Sequence, residues 1–360
     1  MQTTQRQKQR SQKSRRTDNW AILLCTSRYY FNYRHYVNAL SVYKTLKDAG
    51  FRDNRIIFLN SQDEVTADAR NPHPGLVYSD MPTDQLPNTR KYTDSSLHVF
   101  FNESFIGDDP QSSSRLLQRV EVDYIGDDVS VDAFLRLLDG RVHSLTEVSK
   151  RLESTKNSNV LVYMTGHGGD EFFKFQDTQE MTAKDFSGAI AEMYDKDRFR
   201  EMLVIIDTCQ AATMCNHINT PNVYCIGGSK MGENSYAYEP RPEVGMPVTD
   251  RFTLQLTNYI QREVVQEIKS KSNSKATRSK SIVDLINNMD RRKLFSNPFL
   301  MVPIKGSRHP STVTLADFFT PPTKVYKNLI GDSGVSKCSF GSIVNPDRVS
   351  CRSYDFDFLF

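Results

Sequence analysis

The sequence of 360 residues has no run of 18 apolar residues, and its first residues lack the apolar stretch of a secretory signal. We therefore expect no bilayer-spanning segment and no leader peptide in this chain. The chain also has little net charge, only +3. Its basic residues are partly segregated, since residues 1–16 contain six Lys or Arg and no acidic residue. This Gln- and Ser-rich stretch is typical of a solvated tail rather than a nucleic-acid or membrane-surface arm, so we expect no nucleic-acid partner.

The sequence also contains few cysteines. The six cysteines are too few and too scattered to form a disulfide scaffold, so we expect a globular protein with one large domain and extensions. A Cys338–Cys351 bridge is one interpretation of the tail. Four other residues lie close together in the sequence and could form a metal site: Cys209, Cys215, His217 and Cys225. Their spacing, C-x5-C-x-H-x7-C, matches no usual zinc pattern.

Apolar runs of strand length alternate with segments of helical periodicity. Strands are predicted at residues 20–26, 55–60, 159–165, 201–207 and 222–226. Helices are predicted at residues 33–49, 131–138, 146–152 and 182–194. This alternation indicates an α/β fold, with a mostly parallel sheet covered by helices on both faces in three layers.

The composition divides the chain into four segments. Residues 1–18 are predicted to be a disordered basic tail, and residues 19–265 the α/β domain, with the polar stretch 79–119 as an inserted loop. Residues 266–282 read as a basic low-complexity loop. The periodicity of residues 283–360 is weak, so the structure of this C-terminal extension stays open.

Two predicted strands end in residues that carry chemistry. Strand 159–165 leads into Gly166-His167-Gly168-Gly169, and strand 201–207 leads into Thr208-Cys209. Open α/β sheets bind ligands at the carboxyl ends of their strands, and neighbouring strands lie about 4.8 Å apart. An imidazole from one strand tip can therefore meet a thiol from the next.

A cysteine becomes a nucleophile when a base raises its thiolate fraction. Its attack on an amide creates an oxyanion, for which the backbone N–H groups of Gly168 and Cys209 are the predicted donors. Taken singly, His167 could be a turn histidine and Cys209 a small buried residue. The joint pattern predicts nucleophilic catalysis.

Further motifs occur in order between residues 19 and 260: F-N-Y-R-H, R-N-P, V-E-V-D-Y, T-G-H-G-G, F-K-F-Q-D, D-T-C-Q and G-E-N-S. With them the sequence resembles the legumain-type cysteine peptidases, which share a caspase-like sheet. F-N-Y-R-H and F-K-F-Q-D resemble, within that group, the catalytic subunits of glycosylphosphatidylinositol (GPI) transamidases. The resemblance implies a caspase-like catalytic domain over residues 19–265.

The resemblance also implies roles for individual residues. Cys209 is the expected nucleophile, His167 its general base and acid, and Asn32 the residue that orients the imidazole. An alternative for Asn32 is the N-cap of the helix that follows it. Arg34, with His35 beside it, would contact substrate or merely solvate the helix start. Ser229 falls where relatives line the pocket for the residue being cleaved.

Some relatives bind a structural calcium ion, and the resemblance places such a site here at Asp53, the Ile56 carbonyl, Glu121 and Asp123. Oxygen ligands of this kind suit a hard cation. The alternative is a solvated acidic pair within V-E-V-D-Y. The chemistry itself requires no cofactor.

The reaction implied by the resemblance has two steps. The C-terminal signal of a proprotein is cleaved, and the acyl-enzyme thioester is transferred to the ethanolamine amine of a GPI lipid in the endoplasmic reticulum lumen. Relatives often carry a cysteine before R-N-P that links them to a partner subunit, but Ala67 takes that position here. We therefore expect non-covalent association with the other subunits of a membrane-bound complex, which would hold this chain at the membrane.

Two other functions are compatible with the sequence. A soluble asparaginyl-type endopeptidase would use the same dyad for hydrolysis. An inactive scaffold subunit would keep the fold without the chemistry. Reactivity of Cys209 and cleavage of Asn-containing peptides distinguish the three hypotheses.

Overall fold

The computed structural model describes residues 18–62, 68–72, 76–80, 98–102, 120–242, 244–270, 279–302 and 305–322. Its strands, in chain order, are β1 (Trp20–Cys25), β2 (Ile56–Asn60), β3 (Leu76–Ser79), β4 (His98–Asn102), β5 (Tyr124–Ile125), β6 (Asn159–Thr165), β7 (Gly168–Gly169), β8 (Phe172–Phe175), β9 (Gln179–Thr182), β10 (Glu201–Asp207), β11 (Val223–Gly227), β12 (Pro240–Arg241), β13 (Met246–Pro247) and β14 (Phe299–Met301).

The helices follow the same order: α1 (Tyr33–Ala49), α2 (Val131–Asp139), α3 (Ala183–Asp195), α4 (Arg251–Ile260), α5 (Gln266–Ser270), α6 (Ile282–Asn288), α7 (Arg291–Leu294) and α8 (Ala316–Phe319). A π-helical turn, Gln261–Val265, joins α4 to α5. None of the helices described is both long and apolar enough to cross a membrane.

The central sheet has seven strands in the order β14-β11-β10-β6-β1-β2-β5. All neighbours are parallel except β14, which pairs antiparallel with β11. Because successive side chains of a strand point to opposite faces, each central strand contributes to two cores. Leu23 packs with α1 and α4 on one face, while Ile22 packs with α2 and α3 on the other. The predicted three-layer α/β architecture is therefore confirmed.

Local signals explain where the helices begin and end. Helix α1 ends at Gly50, whose φ of 103° lies in the left-handed region, and the Gly50 N–H bonds back to the Leu46 and Lys47 carbonyls. Helix α3 begins with a capping box, in which Thr182 and Asp185 satisfy each other's backbone N–H groups. The predicted bounds of α1, β6 and β10 match the structure.

The predicted helix over residues 146–152 is wrong. Only a short 3-10 turn, Val148–Lys150, forms there. Val148 is 62% exposed whereas Leu152, four residues later, is buried, so the apolar face of the predicted helix is not buried as a unit. Tertiary burial of such a face supplies most of the stability of a short helix, and here that contribution is absent.

The segment boundaries also differ from the sequence interpretation. The predicted loop 266–282 begins with helix α5, and part of the predicted insert 79–119 forms β4, which pairs with β3. Residues 279–302 and 305–322 pack on the core, and β14 joins the central sheet. Residues 1–17, Ala67, and the Cys338–Cys351 pair lie outside the described residues.

Candidate active site

His167 and Cys209 lie at equivalent positions on adjacent strands. Strands β6 and β10 are parallel, and Thr165 pairs with Asp207 at the end of the ladder. Each of the two functional residues comes two positions after its strand's last paired residue. Cys209 is a half-buried free thiol, and the next residue, Gln210, adopts a left-handed φ of 51° that turns the chain sharply. Both strand ends therefore lie side by side at the carboxyl edge of the sheet, and direct contact between the imidazole and the thiol stays a prediction.

Asn32 fixes the orientation and the tautomer of His167. The Asn32 Nδ2 donates to the Arg28 carbonyl at 2.7 Å, so its Oδ1 must face the imidazole. That oxygen lies 2.8 Å from His167 Nε2. An amide oxygen can only accept, so Nε2 carries the proton and Nδ1 keeps a lone pair. Asn32 also precedes α1, but its side chain makes no cap hydrogen bond.

Gly168 is packed too tightly to be any other residue. A Cβ built on it would lie 2.8 Å from Thr208 Oγ1 and 2.9 Å from the Phe172 carbonyl oxygen. Gly168 therefore lies closely against the side chain of Thr208, the residue before Cys209. This contact places the two predicted oxyanion donors, the N–H groups of Gly168 and Cys209, on neighbouring loops.

Arg34 and His35 converge on Asp250, a residue that the sequence analysis did not identify. Arg34 Nε donates to Asp250 Oδ1 at 3.0 Å, and His35 Nε2 lies 3.6 Å from Asp250 Oδ2. Asn38 Nδ2 also donates to Asp250, at 2.6 Å. Asp250 precedes helix α4, and its only sequence signal is that of a helix start, because its partners come from more than 200 residues earlier in the chain.

Burial and charge keep both histidines of the site neutral. Burial, followed by the Arg34 charge, lowers the pKa of His167, while Asp177 and Asp250 partly oppose this. Burial and the charges of Arg34 and His167 lower the pKa of His35 well below its usual value. The two rings contact edge to face, with centroids 4.9 Å apart. A neutral His167 is the form that can accept a proton from a thiol.

Asp207 is a second acidic residue that sequence reasoning missed. Thr253 Oγ1 and Ser235 Oγ donate to its two carboxylate oxygens at 2.5 and 2.7 Å. Burial and the nearby Asp250 charge raise the pKa of Asp207 above its usual value. These two hydrogen bonds fix the last residue of β10, two positions before Cys209.

Ser229 is fully buried, and its hydroxyl is occupied. It donates to the Thr208 carbonyl at 2.7 Å and accepts from the Ala211 N–H at 3.0 Å. These contacts hold the backbone on both sides of Cys209. The substrate contact predicted for Ser229 stays a prediction, since its side chain serves the loop of Cys209 in this structure.

The proposed metal cluster of cysteines and His217 is not formed. Cys215 and Cys225 are joined in a disulfide, which leaves neither thiolate available to a zinc ion. Over the part of the chain that the structure describes, no three His, Cys, Asp or Glu side chains form a group that could hold a metal.

Of the residues predicted for calcium, Asp53 and the Glu121 backbone contact Tyr43 of α1, and Asp123 contacts strand β2. Tyr43 and Lys47 both donate to the Asp53 carboxylate, and Asp123 Oδ2 accepts from the Phe58 N–H. Burial and the charges of Glu121 and Asp53 raise the pKa of Asp123 to about 7. These three acids do not form a metal-holding group in the part of the chain that the structure describes, and Lys47 is paired with Asp53. Calcium binding stays a prediction.

A free thiol and a neutral, oriented histidine at the carboxyl edge of a three-layer α/β sheet are the groups that a cysteine peptidase uses. The sequence profile of the Peptidase C13 family matches residues 19–281. The chain belongs to this family, as the legumain-type resemblance predicts.

Individual relatives of the chain belong to a narrower class than the whole family. The chain is 37% identical over 333 residues to the GPI-anchor transamidase of Bos taurus, covering 91% of this chain and 74% of that protein. It is 36% identical over 306 residues to the GPI-anchor transamidase of Schizosaccharomyces pombe, covering 85% and 70%. Among solved structures, caspase-1 from Spodoptera frugiperda matches with a TM-score of 0.39 and 9% identity, covering 86% of this chain and 94% of that one. So weak a likeness adds nothing to the fold described above.

Proposed function

We propose that this chain is the catalytic subunit of a GPI-anchor transamidase, with Cys209 as nucleophile and His167 as general base and acid. The observation that carries the proposal is the Asn32–His167 hydrogen bond, which leaves Nδ1 free on the side away from Asn32. The named relatives support the acceptor, a GPI lipid. Cysteine acyl transfer requires a thiol and a free imidazole nitrogen, and here they come from equivalent positions after two adjacent parallel strands.

The first half-reaction cleaves the proprotein. His167 takes the thiol proton, and the Cys209 sulfur attacks the carbonyl carbon near the C-terminal signal, which forms a C–S bond and an oxyanion. The N–H groups of Gly168 and Cys209 stabilise that oxyanion. The C–N bond then breaks, and the imidazolium gives its proton to the leaving amine. The product is a thioester on Cys209.

The second half-reaction attaches the lipid. The ethanolamine amine of GPI attacks the thioester and gives a proton to His167, and the C–S bond breaks as the new amide forms. The dyad alone would equally allow water to attack. Transfer therefore requires that the amine be positioned and that water be held back. No cofactor takes part in either step.

We further propose that other subunits of a membrane-bound complex supply this positioning, by non-covalent association in the endoplasmic reticulum lumen. The likeness to GPI-anchor transamidases supports this assignment. A structural calcium ion at Asp53, the Ile56 carbonyl, Glu121 and Asp123 belongs to the same proposal. It is supported by the burial and the charges of Glu121 and Asp53 that raise the pKa of Asp123, since a bound cation would offset that repulsion.

Complementation tests the function directly. Cells that lack transamidase activity receive the full chain, a Cys209→Ala variant or a Cys25→Ala variant, and surface display of a GPI-anchored reporter is measured by flow cytometry. Cys25 is the matched control, because it is another free thiol but is buried in β1. We expect display with the wild type and Cys25→Ala only. Display with Cys209→Ala would show that the chain acts as a scaffold.

The isolated chain distinguishes transfer from proteolysis. We expect little cleavage of fluorogenic Asn-containing peptides without membranes. Efficient cleavage by the isolated chain, together with failed complementation, would identify a soluble asparaginyl-type endopeptidase instead.

A further inference from the structure

Residues 210–217 form a short segment that follows Cys209 and is fastened at its far end by a disulfide. The segment consists mainly of one 3-10 turn, Ala211–Cys215. Cys215 is bonded to Cys225 in the middle of strand β11, and both cysteines are buried. The loop that carries Cys209 is thus tied covalently to the neighbouring strand.

The same segment is also bound to the loop that carries His167. Thr213 Oγ1 accepts from the Glu171 N–H at 2.8 Å and lies 3.1 Å from the Gly169 carbonyl oxygen. The Glu171 carboxylate accepts from Asn216 Nδ2 at 3.1 Å and lies 3.2 Å from His217 Nε2. These contacts join two loops that leave separate strands, and they lie within eight residues of Cys209.

The disulfide acts locally rather than on the whole fold. It spans only ten positions, and a short loop gains least from closure in the unfolded chain. Cys225 is already held by ladder partners on both sides, Val204 in β10 and Met301 in β14. The part that the bond immobilises is therefore Cys215 and the turn before it, which no sheet ladder holds.

We propose that the 210–217 segment, fixed by the Cys215–Cys225 disulfide and by Thr213, is a positioning element that holds the Cys209 loop against the His167 loop. Turns without a ladder open more readily than the core, and acyl transfer is sensitive to displacements of about 1 Å. Breaking these ties lowers turnover while leaving substrate affinity nearly unchanged. This inference rests on the proposed function.

The first experiment uses the assembled complex in membranes, with a reporter proprotein and hydrazine as the acceptor amine. Peptide mapping without reduction should recover a linked Cys215–Cys225 peptide from the wild type. We expect the Cys215→Ala/Cys225→Ala variant to lose about tenfold or more in kcat, with KM changed less than about twofold. Cys338→Ala/Cys351→Ala is the matched control, which also removes two cysteines and should keep wild-type kcat.

A second pair of variants separates positioning from stability. Thr213→Val keeps the shape of the side chain but loses the hydroxyl, and Thr213→Ser keeps the hydroxyl. We expect Thr213→Val to lower kcat and to change the rate at which iodoacetamide alkylates Cys209, and Thr213→Ser to restore both. Val264→Ala, a buried change on the opposite face of the sheet, serves as a control of similar lost stability with unchanged kcat.

The outcomes are distinguishable from failure of the proposed function. A wild-type complex that transfers no reporter contradicts the function itself. Transfer by the wild type, with free Cys215 and Cys225 thiols on mapping, overturns the inference. Equal kcat in wild type and double-alanine variant overturns it as well, as does a loss of kcat in Val264→Ala that matches its loss of Tm.

Discussion

The Asn32 side chain decides which nitrogen of His167 carries the proton, because its oxygen can only accept from Nε2. We expect Asn32→Ala to reduce kcat by about ten- to a hundredfold, since the imidazole would rotate and sample the wrong tautomer. Asn19→Ala is a matched control: Asn19 is equally buried and bonds the Asp317 and Thr320 carbonyls at the opposite end of β1. It should lower Tm without a comparable loss of kcat. Equal losses in both variants would mean that Asn32 acts only through stability.

The charges around His167 set the acid limb of its pH–rate profile. Arg34 lowers the pKa of His167 and Asp177 raises it, with burial as the largest cause of the net lowering. A lowered pKa keeps the neutral base available as pH falls. Arg34→Gln removes the positive charge, so the pKa of His167 should rise and the acid limb of kcat/KM should move to higher pH.

Asp177→Asn is the companion variant with the opposite sign. It removes a charge that raises the pKa of His167, so the acid limb should move to lower pH. Profiles of kcat/KM between pH 4.5 and 8, measured for both variants beside the wild type, check the pair. Shifts in the same direction would show that another group controls this limb.

At the scale of elements, the close approach of β7 to the Cys209 loop is the most constrained feature of the site. In Gly168→Ala the new Cβ meets the Phe172 backbone, so β7 and β8 must separate. We expect kcat to fall at least tenfold, because the shift moves His167 and the Gly168 N–H together.

Gly188→Ala is the control for this prediction. Gly188 lies within helix α3, and an added Cβ there meets nothing within 4 Å. This substitution should raise stability by about 0.5–1 kcal/mol through helix propensity and leave kcat unchanged. Retained activity in Gly168→Ala, with Tm as in the wild type, would contradict the proposed role of β7.

Elements with a strong local pattern could be predicted from the sequence. Strands β6 and β10 are buried at every position and apolar between their polar end residues because both of their faces are covered, and α1 ends at a glycine that can adopt a positive φ. Residues 146–152 have helical spacing too, but whether that face is buried depends on tertiary contacts that no local pattern contains.

The candidate site was predictable only where its residues stand at strand ends. His167 and Cys209 follow apolar runs, and Asn32 precedes a helix at the same edge. Asp250 accepts a hydrogen bond from Arg34, which lies 216 positions earlier in the chain, and Asp207 is the buried last residue of β10. The Cys215–Cys225 pairing depends on the turn after Cys209, which brings residues ten positions apart into contact. These relations arise from packing rather than from periodicity.

At the scale of the whole molecule, the two edges of the sheet have different tasks. The carboxyl ends of β1, β6, β10 and β11 bring together the loops that carry Asn32, His167, Cys209 and Ser229, the residues proposed for the chemistry and its support. The acidic group around Tyr43 lies instead at the start of β2, where Asp53 precedes the strand and Asp123 pairs with its middle. A ligand bound there would affect stability without touching the reacting atoms.

Calcium should therefore raise Tm but leave the pH–rate profile unchanged. Binding requires Lys47 to release Asp53, so we expect a weak site with Kd of about 0.1 mM, within the range of low-affinity modules. At about ten times Kd the stabilisation is about 1.4 kcal/mol, or roughly 2–4 °C in Tm. Thermal unfolding of the full chain in 1 mM CaCl2, MgCl2 or EGTA measures this. Asp123→Asn keeps an acceptor for the Phe58 N–H but removes one ligand charge, so its Tm should not respond to calcium. A Tm that is the same in CaCl2 and EGTA for the wild type would leave the acidic group as an ordinary ion-pair network centred on Lys47.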